Sequence, residues 1–211
     1  MRKKISVGFY HNSFAKNIVD LVFTFLGIIL FIPAITIVAT LIKLTSKGPI
    51  LFKQKRVGQN GRIFEILKFR TMRVGAEKQK ARFKHLNEAD GPVFKIHDDP
   101  RYTPFGGFLA HTGLDELPQL INVLNGEMSL VGPRPLPIYE ANKLSKVQRI
   151  RELVTPGLTS SWVIKGSHSI TFREWMKLDR EYVENASFAI DLNILSTTIK
   201  NVLAQVFTVK F

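Results

Sequence analysis

Two adjacent carboxylates, Asp115 and Glu116, lie in the stretch Leu114-Asp115-Glu116-Leu117-Pro118-Gln119. An ionised carboxylate can attack phosphorus as a nucleophile. It can equally hold Mg²⁺, which takes oxygen ligands and substrate phosphates. The pair opens an expected helix whose first turn tolerates Pro118 and whose N-cap suits Asp115. The N–H groups there favour negative charge and draw phosphate. The same two residues also read as an ordinary acidic helix cap. Phosphate chemistry needs cations too. In Lys68-Phe69-Arg70-Thr71-Met72 the cations alternate with an apolar residue, so Lys68 and Arg70 share one face of a strand. Arg134 stands between Pro133 and Pro135, a rigid seat for bidentate phosphate contact. Each of these also reads, alone, as a surface cation. The five histidines, His11, His85, His97, His111 and His168, have no metal-ligand spacing, and the chain has no cysteine. It carries no phosphate-loop glycine signature, dinucleotide fingerprint or nucleophile elbow.

The elements that must position these groups are mostly helical. Ile50 to Val57 and Arg62 to Phe69 flank Gly58-Gln59-Asn60-Gly61, a hairpin in which Asn-Gly supplies positive φ. Arg73 to Asn87 is expected to be helical, Val93 to Ile96 a strand, and Pro104 to His111 a short helix. Leu117 to Leu124 is a helix stopped by Asn125-Gly126. Gly132 to Pro137, with three prolines, cannot be regular. Ile138 to Leu153, Thr171 to Asn185 and Asp191 to Val206 have helical spacing of apolar residues.

The chain of 211 residues carries 30 basic and 17 acidic residues, a net charge of +13. Lys43 to Lys84 holds thirteen basic residues against Glu65 and Glu77, a net of +11. Such a stretch seeks a polyanion: nucleic acid, an anionic membrane or phosphorylated small molecules. It also reads as a solvated basic face. Mean hydropathy of +0.05 excludes a disordered acidic chain and a polytopic transporter. Leu21 to Ile42 is 22 residues without a charge, long enough to enter a membrane. Both flanks are basic, with Arg2, Lys3, Lys4 and Lys16 before it and Lys43, Lys47, Lys53, Lys55 and Arg56 after. Positive charge favours the cytoplasmic side, so both ends ask for it. Pro33, near the middle, can break the helix. The expectation is a re-entrant helix-break-helix in which Thr36 or Thr40 serves the freed carbonyls. A tilted single span with a tolerated proline is the alternative.

In order along the chain, these pieces resemble the bacterial sugar transferase family, the monotopic phosphoglycosyl transferases. The matching segments are Lys68 to Met72, Gly91 to Ile96, Asp99-Pro100-Arg101, Leu114 to Leu120, Asn122 to Leu124, Met128 to Pro135 and Thr155 to Thr159. Asp179, Tyr182, Asp191-Leu192 and Ile194-Leu195 continue the match. The resemblance implies a mainly α fold with a small β-hairpin. Residues 1–45 would form an N-terminal re-entrant membrane segment, and residues 46–211 a cytosolic catalytic domain on the bacterial inner membrane. It implies transfer of a sugar-1-phosphate from a UDP-sugar to undecaprenyl phosphate with Mg²⁺. Asp115 would be nucleophile and metal contact, and Glu116 would assist through the metal or by deprotonating the acceptor. Lys68, Arg70, Arg101 and Arg134 would bind phosphates.

Three positions depart from the family pattern. Ala110 stands where a basic residue is usual, Ser160 follows Thr159 where glycine is usual, and Ser167 follows Gly166 where arginine is common. They motivate an alternative: a catalytically weak relative acting as a membrane-bound assembly partner. A nucleic-acid partner is not expected, because base-stacking aromatics are sparse among the basic residues. The apolar C-terminal helix is either core or a homodimer contact.

Overall fold

The computed structural model describes residues 7–166 and 170–208. Helix α1 (Phe14–Thr45) is followed by strands β1 (Leu51–Val57) and β2 (Ile63–Phe69). Helices α2 (Gly106–Thr112) and α3 (Gln119–Leu124) precede β3 (Ser129–Val131), α4 (Ile138–Ala141) and β4 (Gly157–Thr159). Helices α5 (Ser161–Ile164), α6 (Phe172–Asn185) and α7 (Phe188–Thr208) complete the order.

The expected hairpin forms. β1 and β2 pair antiparallel from Leu51 opposite Phe69 to Val57 opposite Ile63, with Asn60 at φ 53° and Gly61 at φ 77° in the turn. Phe64 and Ile66 turn into a core with Leu120, Val123, Met128 and Leu130. Lys68 follows them on that face. α6 begins with a capping box, Thr171 and Glu174, and buries Trp175 and Tyr182 on one face. α7 buries Asp191 and Ile194 while Leu192, Ile199, Leu203 and Phe207 stay exposed.

Other segments differ from expectation. Arg73 to Asn87 is not a regular helix; it holds two 3-10 turns, Ala76–Gln79 and Lys84–Leu86. Val93 to Ile96 is not a strand; Lys95 N–H instead donates to Asn87 Oδ1 at 2.7 Å. Ile138 to Leu153 is divided into α4 and a 3-10 turn, Gln148–Leu153. A second sheet pairs β3 parallel to β4, two segments without a strand signature in the sequence. It packs backbone on backbone: a Cβ on Gly157 would lie 2.0 Å from Gly132 N, so both positions need glycine.

α1 runs unbroken through Pro33, where an interruption was expected. At about 1.5 Å per residue its 32 residues extend about 48 Å. Thr36 and Thr40 donate to the carbonyls four residues back, Ile32 and Thr36, and not to those that proline frees. Packing on either side of Pro33 supports the continuous path. Before it, Lys16 Nζ lies 2.6 Å from Asp191 and 3.1 Å from Asp20, Asp20 accepts from Leu130 N–H at 3.3 Å, and Ile28 joins the core at Leu120. Beyond it, Val38 and Ile42 pack with Phe69 and Leu109. Both halves of the helix therefore rest on the same domain. The opposite face exposes Leu21, Phe25, Leu26, Ile29, Leu30, Ile37 and Leu44. The helix is long and apolar enough to cross a membrane. Arg2, Lys3 and Lys4 lie outside the described residues.

Candidate active site

Asp115 and Glu116 sit in a 3-10 turn, Leu114–Glu116, entered through Gly113 at φ 74°. Asp115 does not cap α3, whose N-cap is Pro118 without a side-chain bond. The pair is instead fixed from the hairpin side. Asn122, fully buried on α3, accepts from Leu67 N–H at 3.0 Å and donates to the Glu65 carbonyl at 2.8 Å. That staple brings the end of β2 against the carboxylate turn. Lys68 Nζ then lies 2.6 Å from Glu116 Oε1 and 3.4 Å from Asp115 Oδ2.

Arg134 enters from the proline-rich loop. That loop is held along its backbone: Gly132 N–H donates to Thr159 O at 3.0 Å and Gly157 N–H to Pro133 O at 3.0 Å. Arg56 donates to Pro135 O at 2.9 Å. Arg151, paired with buried Asp179 at 3.1 Å, donates to the Arg134 carbonyl. So held, the Arg134 guanidinium grips both Glu116 oxygens, one at 3.0 Å.

The two carboxylates therefore differ. Burial pushes Glu116 up, but Arg134 and Lys68 together outweigh it and hold the group well below the ordinary carboxylate range. Burial pushes Asp115 up, and Lys68 only partly offsets that. Glu116 is engaged on both oxygens, whereas the one ion pair of Asp115 among the described residues is the longer one to Lys68.

Lys68 and Arg134 thus meet the carboxylates, and two other expected phosphate ligands do not. Arg70 spends its guanidinium on the chain that leaves α1, donating to Pro49 O and Lys47 O at 2.6 Å each and to Ser46 O at 3.1 Å. Arg101 is buried against Asp99, with Nε 2.8 Å from Oδ1, and also donates to Ala76 O. Neither guanidinium is paired with Asp115 or Glu116 among the described residues.

Composition alone did not single out two further cations. Burial, and after it the charge of Arg134, lower Lys95 to about 8; Arg56 falls to about 10 for the same two reasons. Lys95 lies in the Gly91 to Ile96 segment, which was the available signal. The fold also brings His97, Asp98 and His111 together, although their spacing in the sequence does not. Ala110 is half-buried on α2, and the buried Ser160 hydroxyl has no hydrogen-bond partner among the described residues. Ser167 lies outside the described residues.

A buried aspartate thus lies beside a glutamate clamped by two cations, in a chain whose N-terminal helix is long and apolar enough to cross a membrane. The chain belongs to the bacterial sugar transferase family, whose family model matches residues 11–205. It is 43% identical over 196 residues to the galactosyl transferase CpsE of Streptococcus agalactiae, covering 92% of this chain and 43% of that protein. It is 35% identical over 189 residues to the exopolysaccharide production protein ExoY of Sinorhizobium fredii, covering 88% of this chain and 84% of that protein. It is also 35% identical over 196 residues to the UDP-glucose:undecaprenyl-phosphate glucose-1-phosphate transferase of Escherichia coli, covering 89% of this chain and 40% of that protein. The chain thus spans less than half the length of two of these relatives.

Proposed function

We propose that this chain transfers a sugar-1-phosphate from a UDP-sugar to undecaprenyl phosphate, releasing UMP, as the first membrane step of exopolysaccharide or glycoconjugate assembly. The observation that carries this reading is the asymmetry of the carboxylates: Glu116 is closed by Lys68 and Arg134, and among the described residues Asp115 has one cation contact, at 3.4 Å. An Asp115 oxygen attacks the sugar-bearing phosphorus. As that O–P bond forms, the bond from phosphorus to the bridging oxygen breaks, and UMP leaves with the electron pair. A phosphosugar-aspartyl group remains. An oxygen of undecaprenyl phosphate attacks the same phosphorus and returns Asp115 as a carboxylate. Glu116, held ionised by its two cations, is a poor proton acceptor. Its part is to fix Lys68 and Arg134, which offset the repulsion between an anionic nucleophile and an anionic diphosphate.

Mg²⁺ suits the oxygens of Asp115, a hard donor whose one cation contact among the described residues is long. When bound it supplies further neutralisation of the diphosphate. Lys95 and Arg56, beside Arg134, extend the anion seat.

The catalytic domain rests on the cytoplasmic face of the bacterial inner membrane, with both ends of α1 on that face. The docking of both helix halves on one domain supports this placement, because a perpendicular span would pull one half away from its core contacts. The exposed apolar face of α1 meets lipid, and the basic stretch Lys43 to Lys84 meets anionic headgroups.

The test is UMP release by the detergent-purified chain from a panel of UDP-sugars, with and without undecaprenyl phosphate and Mg²⁺. UDP-glucose and UDP-galactose come first, following the relatives' names. Acceptor-dependent release with one donor, abolished in Asp115→Asn, is the expected result. A folded chain inert towards every donor refutes the reading and favours an assembly partner without turnover.

A further inference from the structure

A second cluster of ligand-type side chains lies between the segment after Ile96 and the end of α2, and the transfer described above does not use it. His97 and Asp98 are exposed on the irregular segment after Ile96, and His111 is half-buried near the end of α2. The two imidazole rings stack, with centroids 4.3 Å apart and planes inclined by 16°. His111 Nε2 lies 2.9 Å from the His97 carbonyl oxygen and 3.8 Å from Asp98 Oδ1. One nitrogen from each ring and one Asp98 oxygen lie within 4.8 Å of one another.

This donor set differs in kind from the carboxylate pair. Imidazole nitrogens suit Zn²⁺, Cu²⁺ and Ni²⁺, whereas carboxylate and water alone suit Mg²⁺. Two histidines and one carboxylate are a common set for zinc, leaving a position for water. The thirteen residues separating His97 from His111 hid the cluster in the sequence.

The cluster also has a mechanical link to the reaction centre. α2 ends at Thr112, Gly113 turns the chain at φ 74°, and Asp115 and Glu116 follow at once. Tyr102 packs its ring edge-on to His111, with centroids 5.9 Å apart. Its phenol, pushed up to about 12 first by burial, feels Asp115 as well as Asp98 and Asp99.

We propose that His97, Asp98 and His111 bind a zinc ion that clips the 97–98 segment to the end of α2, immediately before the carboxylate turn. The site is separate from Asp115 and stands whether or not the transfer reaction is as described.

The test uses the full chain, purified in detergent without a polyhistidine tag and stripped with chelator. Zn²⁺ binding is measured by calorimetry, and Co²⁺ substitution by visible absorption. One equivalent of Zn²⁺ is expected, resistant to millimolar Mg²⁺ and unchanged in Asp115→Asn. His97→Ala and His111→Ala should each weaken it by at least about 10–100-fold, the loss seen when even an outer partner of a metal ligand is removed. Asp98→Asn, which keeps the side-chain volume, guards against a histidine variant that fails to fold. It too should weaken binding and the cobalt spectrum. Absence of saturable Zn²⁺ binding, equal affinity in the three folded variants, or loss confined to Asp115→Asn would overturn the proposal.

Discussion

Replacing Lys68 by methionine separates two roles that a lysine beside a carboxylate can play. The ammonium lies 3.4 Å from Asp115 Oδ2, and both side chains are largely buried. At an effective dielectric of about 20, unit charges at that distance attract by about 5 kcal/mol. Solvent relaxation reduces this; an opposite charge at such range moves a carboxylate by about 1–3 pH units, or about 1.4–4 kcal/mol. The sign is fixed. Burial already holds Asp115 above the ordinary range, and Lys68 is the largest influence opposing that. Without Lys68, the pH at which Asp115 ionises rises, and the acidic limb of the rate profile moves up with it. The assay is kcat/KM for UMP release between pH 5 and 9, whose limbs report groups of the free enzyme. Lys68→Arg, which keeps the charge, should leave the limb near its wild-type position. A limb that stays in place while the plateau falls would mean that Lys68 touches substrate phosphate only. A limb that moves down would refute the electrostatic account of Asp115 altogether.

Arg134→Ala should lower kcat by about 10²–10³, the loss typical of removing one preorganised stabiliser of developing charge. Burst measurements of UMP release should place the loss in the first half-reaction. Arg101→Ala should act on folding instead. It strands buried Asp99, a loss of about 3–5 kcal/mol, or roughly 6–20 °C in Tm for a chain of this size. Unchanged melting with lost turnover would return Arg101 to the substrate site. Ala110→Arg should raise turnover, because it restores a cation near the end of α2; unchanged or lower turnover counts against any role for that position.

The elements legible in the sequence were those whose cause is local. Asn60-Gly61 dictates a hairpin wherever it falls, and Thr171 with Glu174 starts a helix by bonds within four residues. The parallel pair β3–β4 has no such signature. Its strands are three residues long, too short for a period, and each finds its partner across 25 intervening residues that include α4. Pro33 shows the reverse error. Its local rule predicts a break, yet core contacts on both sides keep α1 continuous.

The site divides along the same line. Asp115, Glu116, Lys68 and Arg134 could be named from residue type and order, but type alone could not sort the arginines. Arg70, Arg101 and Arg134 are chemically identical, and all three lie in matching segments of the family. What separates them is the oxygen each one reaches: main-chain carbonyls for Arg70, the buried carboxylate of Asp99 for Arg101, and Glu116, next to Asp115, for Arg134. Those partners come from other parts of the chain and become neighbours only after folding. The same holds for Asn122, whose amide fixes the end of β2 against the carboxylate turn, and for Lys95, whose depressed affinity for protons arises from burial and from Arg134. A sequence therefore exposes the groups able to do chemistry, and the tertiary fold decides which of them are spent on holding the molecule together.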